Sequence, residues 1–149
     1  MGLRRKAREI AVQALYRIDV TGDESIAAFE LLWDHFDAPR EAKAFAAELV
    51  QGVRSERERI DALIAQALEN WSLGRLSRVD VNVLRVATWE LLHPAAVPPS
   101  GAINEAIEIA RRFGGDEARQ FVNGVLDEIA GILGVRPRTA DEPADERRS

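Results

Sequence analysis

The chain of 149 residues contains no cysteine. Disulfides, thiolate chemistry and cysteine-ligated metals are thereby excluded. Its two histidines, His35 and His93, lie in different segments, and neither has a sequence-local partner. A metal site would have to be all-carboxylate, and no spacing suggests one. The phosphate-cradling G-x-x-x-x-G-K-[ST], a G-x-G-x-x-G after a strand, H-E-x-x-H and G-x-S-x-G are all missing. No apolar run approaches the ~18 residues of a membrane span. The charged N-terminus has no apolar stretch behind it, so no signal peptide is expected. There is no internal repeat. These absences leave an enzyme without positive support: no catalytic residue, cofactor or metal is expected, although 25 acidic residues always leave some carboxylate pair open. A soluble, cytoplasmic binding protein is the expectation.

What is present suits a compact core. Apolar residues make up 46% of the chain, and the length suffices for one domain or two tight subdomains. The net charge of −5 argues against a general nucleic-acid binder. Its distribution argues for a local one, because Arg4, Arg5, Lys6 and Arg8 all precede the first acidic residue, Glu9.

Residues 3–19 have helical periodicity, with Leu3, Ala7, Ile10, Ala11, Ala14, Leu15 and Ile18 as the apolar stripe. Arg5, Arg8, Val12 and Tyr16 fall within about 80° on the other side, Tyr16 almost opposite the core. Two readings fit: a solvated basic face with an incidental tyrosine, or a single-stranded nucleic-acid face on which guanidiniums take phosphates and the ring stacks a base. A second helix over 24–36 carries Ile26, Phe29, Leu32, Trp33 and Phe36 at core spacing, with Asp23 as its N-cap. Residues 40–53 bury Ala42, Phe45, Ala46, Leu49 and Val53 after the break at Pro39. Ser55 with Glu58 reads as a capping box for a fourth helix, whose stripe runs from Ile60 to Trp71.

After the break at Ser72-Leu73-Gly74, Ser77 with Asp80 signals another helix start. The following VDVNV alternates and is β-branched, which locally favours a strand. The run continues too long, and no second strand signal exists to pair with it, so 79–92 is expected to be a helix. It is apolar nearly all round and therefore a buried central one. Glu90 on it is either paired or at the rim.

The stretch from Ala102 to Leu133 reads as two helices separated by Gly114-Gly115, where a left-handed cap needs residues without a Cβ, with Asp116 as the next N-cap. Residues 135–149 hold two prolines and almost nothing to bury, and are expected to be a disordered tail. The expected fold is all-α: about seven helices in two small packed bundles, residues 3–53 and 55–133.

Two motifs carry a family resemblance. INEAIEIARRFG followed by QFVNGVLDEI resembles the C-terminal signature of the NusB family of bacterial transcription antitermination factors, and RRKAREIAVQALY resembles its arginine-rich N-terminal helix. The match covers about residues 3–133 and implies two three-helix bundles packed across each other. It further implies binding of boxA, a single-stranded RNA element of nascent ribosomal RNA transcripts, together with the ribosomal protein NusE. The complex would act with other Nus factors on RNA polymerase. By this resemblance Arg4, Arg5, Arg8 and Tyr16 are candidate RNA contacts, as are Phe113, Phe121 and Asn123 of the C-terminal motif. Phe113 also falls on an apolar face, where core packing is the simpler expectation. Glu117, at a helix N-terminus, and Arg85, in the one polar arc of the central helix, complete the candidates. Residues 80–82 (DVN) depart from the family, which is more charged there. Two alternatives stay open: a helical protein–protein module of the kind attached to RNA methyltransferases, and a homodimer that buries the arginine helix.

Overall fold

In a computed structural model of the protein, residues 2–69, 76–95 and 97–135 are described, without the side chains of residues 26, 28 and 29. Trp71, the 72–74 break and the tail from residue 136 onward lie outside the described residues. The helices are α1 (Gly2–Thr21), α2 (Ile26–His35), α3 (Arg40–Ser55), α4 (Arg57–Leu68), α5 (Arg78–Leu92) and α6 (Pro99–Leu133). No strand occurs among the described residues.

The segment with the strand-like VDVNV pattern is helical, as α5. Its start is set by Ser77, whose hydroxyl accepts the Asp80 N–H at 3.0 Å. Its persistence comes from burial, because α1, α3, α4 and α6 all contact it. Every residue from Val81 to Thr88 is buried, so the whole circumference gains from being covered. One apolar cluster runs continuously from Ala7 and Ile10 of α1 through Leu49 of α3, Ile64 of α4 and Leu84 of α5 to Leu126 of α6. Contact between α3 and α5 is close at Gly52, where a Cβ would stand 2.2 Å from the Trp89 ring. Only glycine admits the indole there.

The break expected at Gly114-Gly115 is present inside α6. Gly115 has φ 83° and ψ −170°, a region essentially closed to residues with a Cβ. The two arms, 99–114 and 116–133, are therefore separate helices in direction, and the helical segments among the described residues number seven. The C-terminal arm closes on Gly134, which is left-handed at φ 74°, and Val135 donates its N–H to the Ala130 carbonyl at 2.9 Å.

Two local expectations fail. Leu3 is exposed, because α1 begins beyond the edge of its neighbours. The Ser55/Glu58 capping box does not form: the Ser55 hydroxyl donates to the Gly52 carbonyl, and α3 runs almost directly into α4 through Glu56. Glu56 is occupied elsewhere, accepting from Trp89 Nε1 at 3.1 Å and lying 2.6 Å from His93 Nε2.

Candidate nucleic-acid interface

The middle of α1 is covered on every side. Six consecutive residues, Ala7 to Val12, are buried, including the charged Arg8 and Glu9. α3 and α5 flank the helix, and α6 reaches it through ion pairs. The open face expected to carry Arg8 and Val12 is therefore closed at those positions. Arg8 is 3% exposed, and its Nε and Nη2 each donate to Glu90 at 2.8 Å. This corrects the placement of Arg8 among RNA contacts and gives Glu90 its partner. A buried guanidinium holds a buried carboxylate because either charge alone would be costly there. Glu9, next in sequence, pairs with Arg112 of α6.

Arg85 is corrected in the same way. It is 5% exposed and spends its donors inward: Nε and Nη2 on Asp61 at 2.9 and 3.1 Å, Nη1 on Asp19 at 2.9 Å and on Asn82 at 3.2 Å. Asn82 in turn donates to Asp19 at 3.0 Å. Burial by itself lowers the Arg85 pKa, but hydrogen bonding to and the charge of Asp61, then Asp19, outweigh it and raise the value. The polar arc of α5 is thus the inside of a network tying the ends of α1, α4 and α5 together.

Arg4, Arg5 and Tyr16 do reach solvent. Arg4 is exposed and stacks its guanidinium over the Phe45 ring of α3 at 4.9 Å, which steadies a long side chain without neutralising it. Arg5 is about a third exposed and meets Glu105 of α6 through Nε at 2.8 Å and Nη2 at 3.1 Å. Hydrogen bonding and charge from Glu105 raise the Arg5 pKa, and the bond from Arg5 lowers that of Glu105. Arg4, Lys6, Asn104 and Glu105 line an open groove of about 940 Å³ between the starts of α1 and α6.

Tyr16 is 40% exposed, twelve residues or roughly 18 Å along α1 from Arg4. There it lines the same cleft as Phe113, which is 46% exposed and not in the core. Phe113 lies one turn beyond the last buried residue of its arm, Ala110, and the chain bends at Gly115, so it is only partly covered. Tyr16, Phe113, Phe36, Val79 and Arg17 line a cleft of about 530 Å³. Two exposed rings with an arginine beside them can stack bases and hold a phosphate. Glu117, Phe121 and Asn123 are not among the described lining residues of this cleft. Glu117 and Asn123 are exposed, whereas Phe121 packs partly against the core.

Sequence reasoning passed over Arg17, Phe36 and Val79. Arg17 was within reach: Gln13, Tyr16, Arg17 and Val20 follow helical spacing on one exposed face. Phe36 and Val79 come from α2's end and α5's start, and no local pattern joins them to Tyr16. Among the described residues, no three His, Asp or Glu side chains gather as a metal site, and no helix is long and apolar enough to cross a membrane.

The geometry describes an all-helical binding protein whose accessible chemistry is rings and guanidiniums near the two ends of α1. The NusB family profile matches residues 5–131. The transcription antitermination protein NusB of Geobacter sulfurreducens is 45% identical over 134 residues, covering 89% of this chain and 97% of its own. Among solved structures, Thermotoga maritima NusB superposes with a TM-score of 0.77 at 40% identity, covering 90% of this chain and 93% of that one. A chain from a crystal structure of antitermination factors NusB and NusE in complex with double-stranded RNA gives 0.76 at 27% identity, covering 89% and 98%. The chain belongs to the NusB family.

Proposed function

We propose that the protein is a transcription antitermination factor that binds the boxA element of nascent transcripts together with the ribosomal protein NusE. It works in the cytoplasm within a Nus-factor assembly on RNA polymerase, and it binds without catalysing a reaction. Membership of the NusB family supports this reading, and the exposed Tyr16–Phe113 cleft is the observation in this chain that carries it. Core packing has no use for two half-exposed rings lining one cleft with an arginine. A flipped or unstacked base does. Arg4 and Arg17, which make no ion pair among the described residues, supply charge for phosphates, while Glu117 and Asn123 are exposed on the C-terminal arm of α6.

The test is fluorescence anisotropy of labelled boxA RNA and a scrambled RNA of equal length, across a salt series, with and without NusE. Stacking on aromatic side chains contributes ~1–3 kcal/mol per base, so Tyr16→Ala with Phe113→Ala weakens boxA binding by at least about tenfold. Arg4→Ala weakens both RNAs and flattens the salt dependence. Weak, equal binding of both RNAs that ignores NusE and these substitutions overturns the function. The internal pairing of Arg5, Arg8, Arg85 and Arg112 would then favour the alternative of a helical protein–protein module.

A further inference from the structure

The arginines of α1 differ in availability. Arg4 is uncompensated, Arg8 is locked beneath the surface on Glu90, and Arg5 stands between, paired yet partly exposed. Its partner Glu105 is the one carboxylate among the described lining residues of the groove that Arg4 and Lys6 make basic. The Nε/Nη2 fork, an edge that would take two oxygens of a phosphate, is filled by both Glu105 oxygens. Further carboxylates crowd the same guanidinium: Glu108 and Glu9 also act on Arg5 through their charge.

We propose that Glu105 sets the affinity of the RNA surface by occupying the fork of Arg5, so that RNA binding there exchanges a carboxylate for a phosphate. This rests on the RNA-binding reading above. A phosphate approaching the groove is drawn by Arg4 and Lys6, and repelled by Glu105, which lines it with them. Arg5 gains a phosphate only as it gives up a carboxylate of equal charge, so the site neutralises fewer phosphates, net, than its arginines suggest. The device restrains binding to arbitrary RNA and leaves discrimination to the ring cleft.

Glu105→Gln keeps the size and one acceptor oxygen while removing the charge. Affinity for labelled single-stranded RNA is measured for wild type, Glu105→Gln, Arg5→Ala and the double variant, with Glu108→Gln as a control. The control removes the same charge one turn along, from a carboxylate paired to Arg111. Unfolding midpoints are recorded for all.

The expected result is that Glu105→Gln binds roughly three- to tenfold more tightly, the effect of one unit charge at contact distance screened as in bulk water. Its log–log salt slope steepens by up to about 0.7, one more phosphate neutralised on a single strand. Arg5→Ala cancels the gain. Affinity unchanged or reduced in Glu105→Gln overturns the proposal and makes Glu105 a strut that orients Arg5. An equal gain from Glu108→Gln overturns it in favour of a long-range charge effect. RNA binding by none of the proteins, wild type included, overturns instead the RNA-binding reading and this inference with it.

Discussion

Arg8→Ala separates a structural arginine from a binding one. The Arg8 and Glu90 side chains are each 4% exposed and joined by two bonds of 2.8 Å. Truncating one partner of such a pair strands a charge where water cannot reach it, which costs ~3–5 kcal/mol. Against the ~5–15 kcal/mol that holds a domain together, this is a large fraction. For a domain of about 150 residues each kcal/mol lowers the melting temperature by about 2–4 °C, so the drop should be roughly 6–20 °C. Replacing both partners, Arg8→Met with Glu90→Leu, removes the stranded charge and should return stability to within about 1 kcal/mol of wild type or above it. Arg5→Ala, at a half-exposed pair, should cost no more than about 1 kcal/mol. The assays are urea unfolding followed by circular dichroism, and RNA binding at a temperature where every variant is folded. Folded Arg8→Met/Glu90→Leu should bind RNA as wild type does. If Arg8→Ala is as stable as wild type yet loses RNA affinity, Arg8 leaves Glu90 to meet the ligand and the buried pair is not a fixture of the protein.

Three further outcomes follow from the geometry. Gly115→Ala forces a Cβ into φ 83°, ψ −170°, and should destabilise by about 1–3 kcal/mol in denaturant titrations. Because the bend lies two residues beyond Phe113 of the cleft, the same variant should also weaken RNA binding, and an unchanged affinity would detach the bend from the cleft. Gly52→Ala places a methyl against the Trp89 ring and should cost about 1–3 kcal/mol, read in the same titrations together with a change in tryptophan fluorescence. The bond from Arg5 holds the Glu105 carboxyl below its ordinary value near 4.5. Its contribution to stability is therefore complete above that value and lost as pH falls through the lowered one, so wild type should lose more stability than Glu105→Gln on acidification from about pH 5. Parallel melting curves for the two proteins across that range would refute the linkage.

Helical periodicity made most of the fold legible. The stripes Ile10, Leu15 and Ile18 on α1, Leu49 and Val53 on α3, and Ile60 and Ile64 on α4 are all buried. The all-round apolar pattern of 79–92 correctly marked α5 as central, since a helix without a polar face has nowhere else to go. Gly114-Gly115 announced its break because only glycine tolerates that backbone. The cap at Ser55 misled because a capping box is a local pattern, and α3 continues through Ser55, whose hydroxyl turns back to the Gly52 carbonyl.

For the interface, the chain alone determined which chemistry was available: rings and guanidiniums at spacings that put Tyr16 and Arg4 on exposed parts of one helix, and the two motifs that carry the family. Tertiary structure decided which of those groups could be used. Arg8 and Arg85 look no different from Arg4 in a helical wheel. Their fates turn on carboxylates 82 and 66 residues away, at Glu90 and Asp19, which only packing brings within hydrogen-bonding distance. Phe113 reads as core by its spacing and is left half-exposed, lining an open cleft just before the bend. Periodicity reports what a side chain is made of and which way it leaves its own helix. Whether a charge is buried, paired or free depends on what stands opposite, and that is a property of the assembled helices.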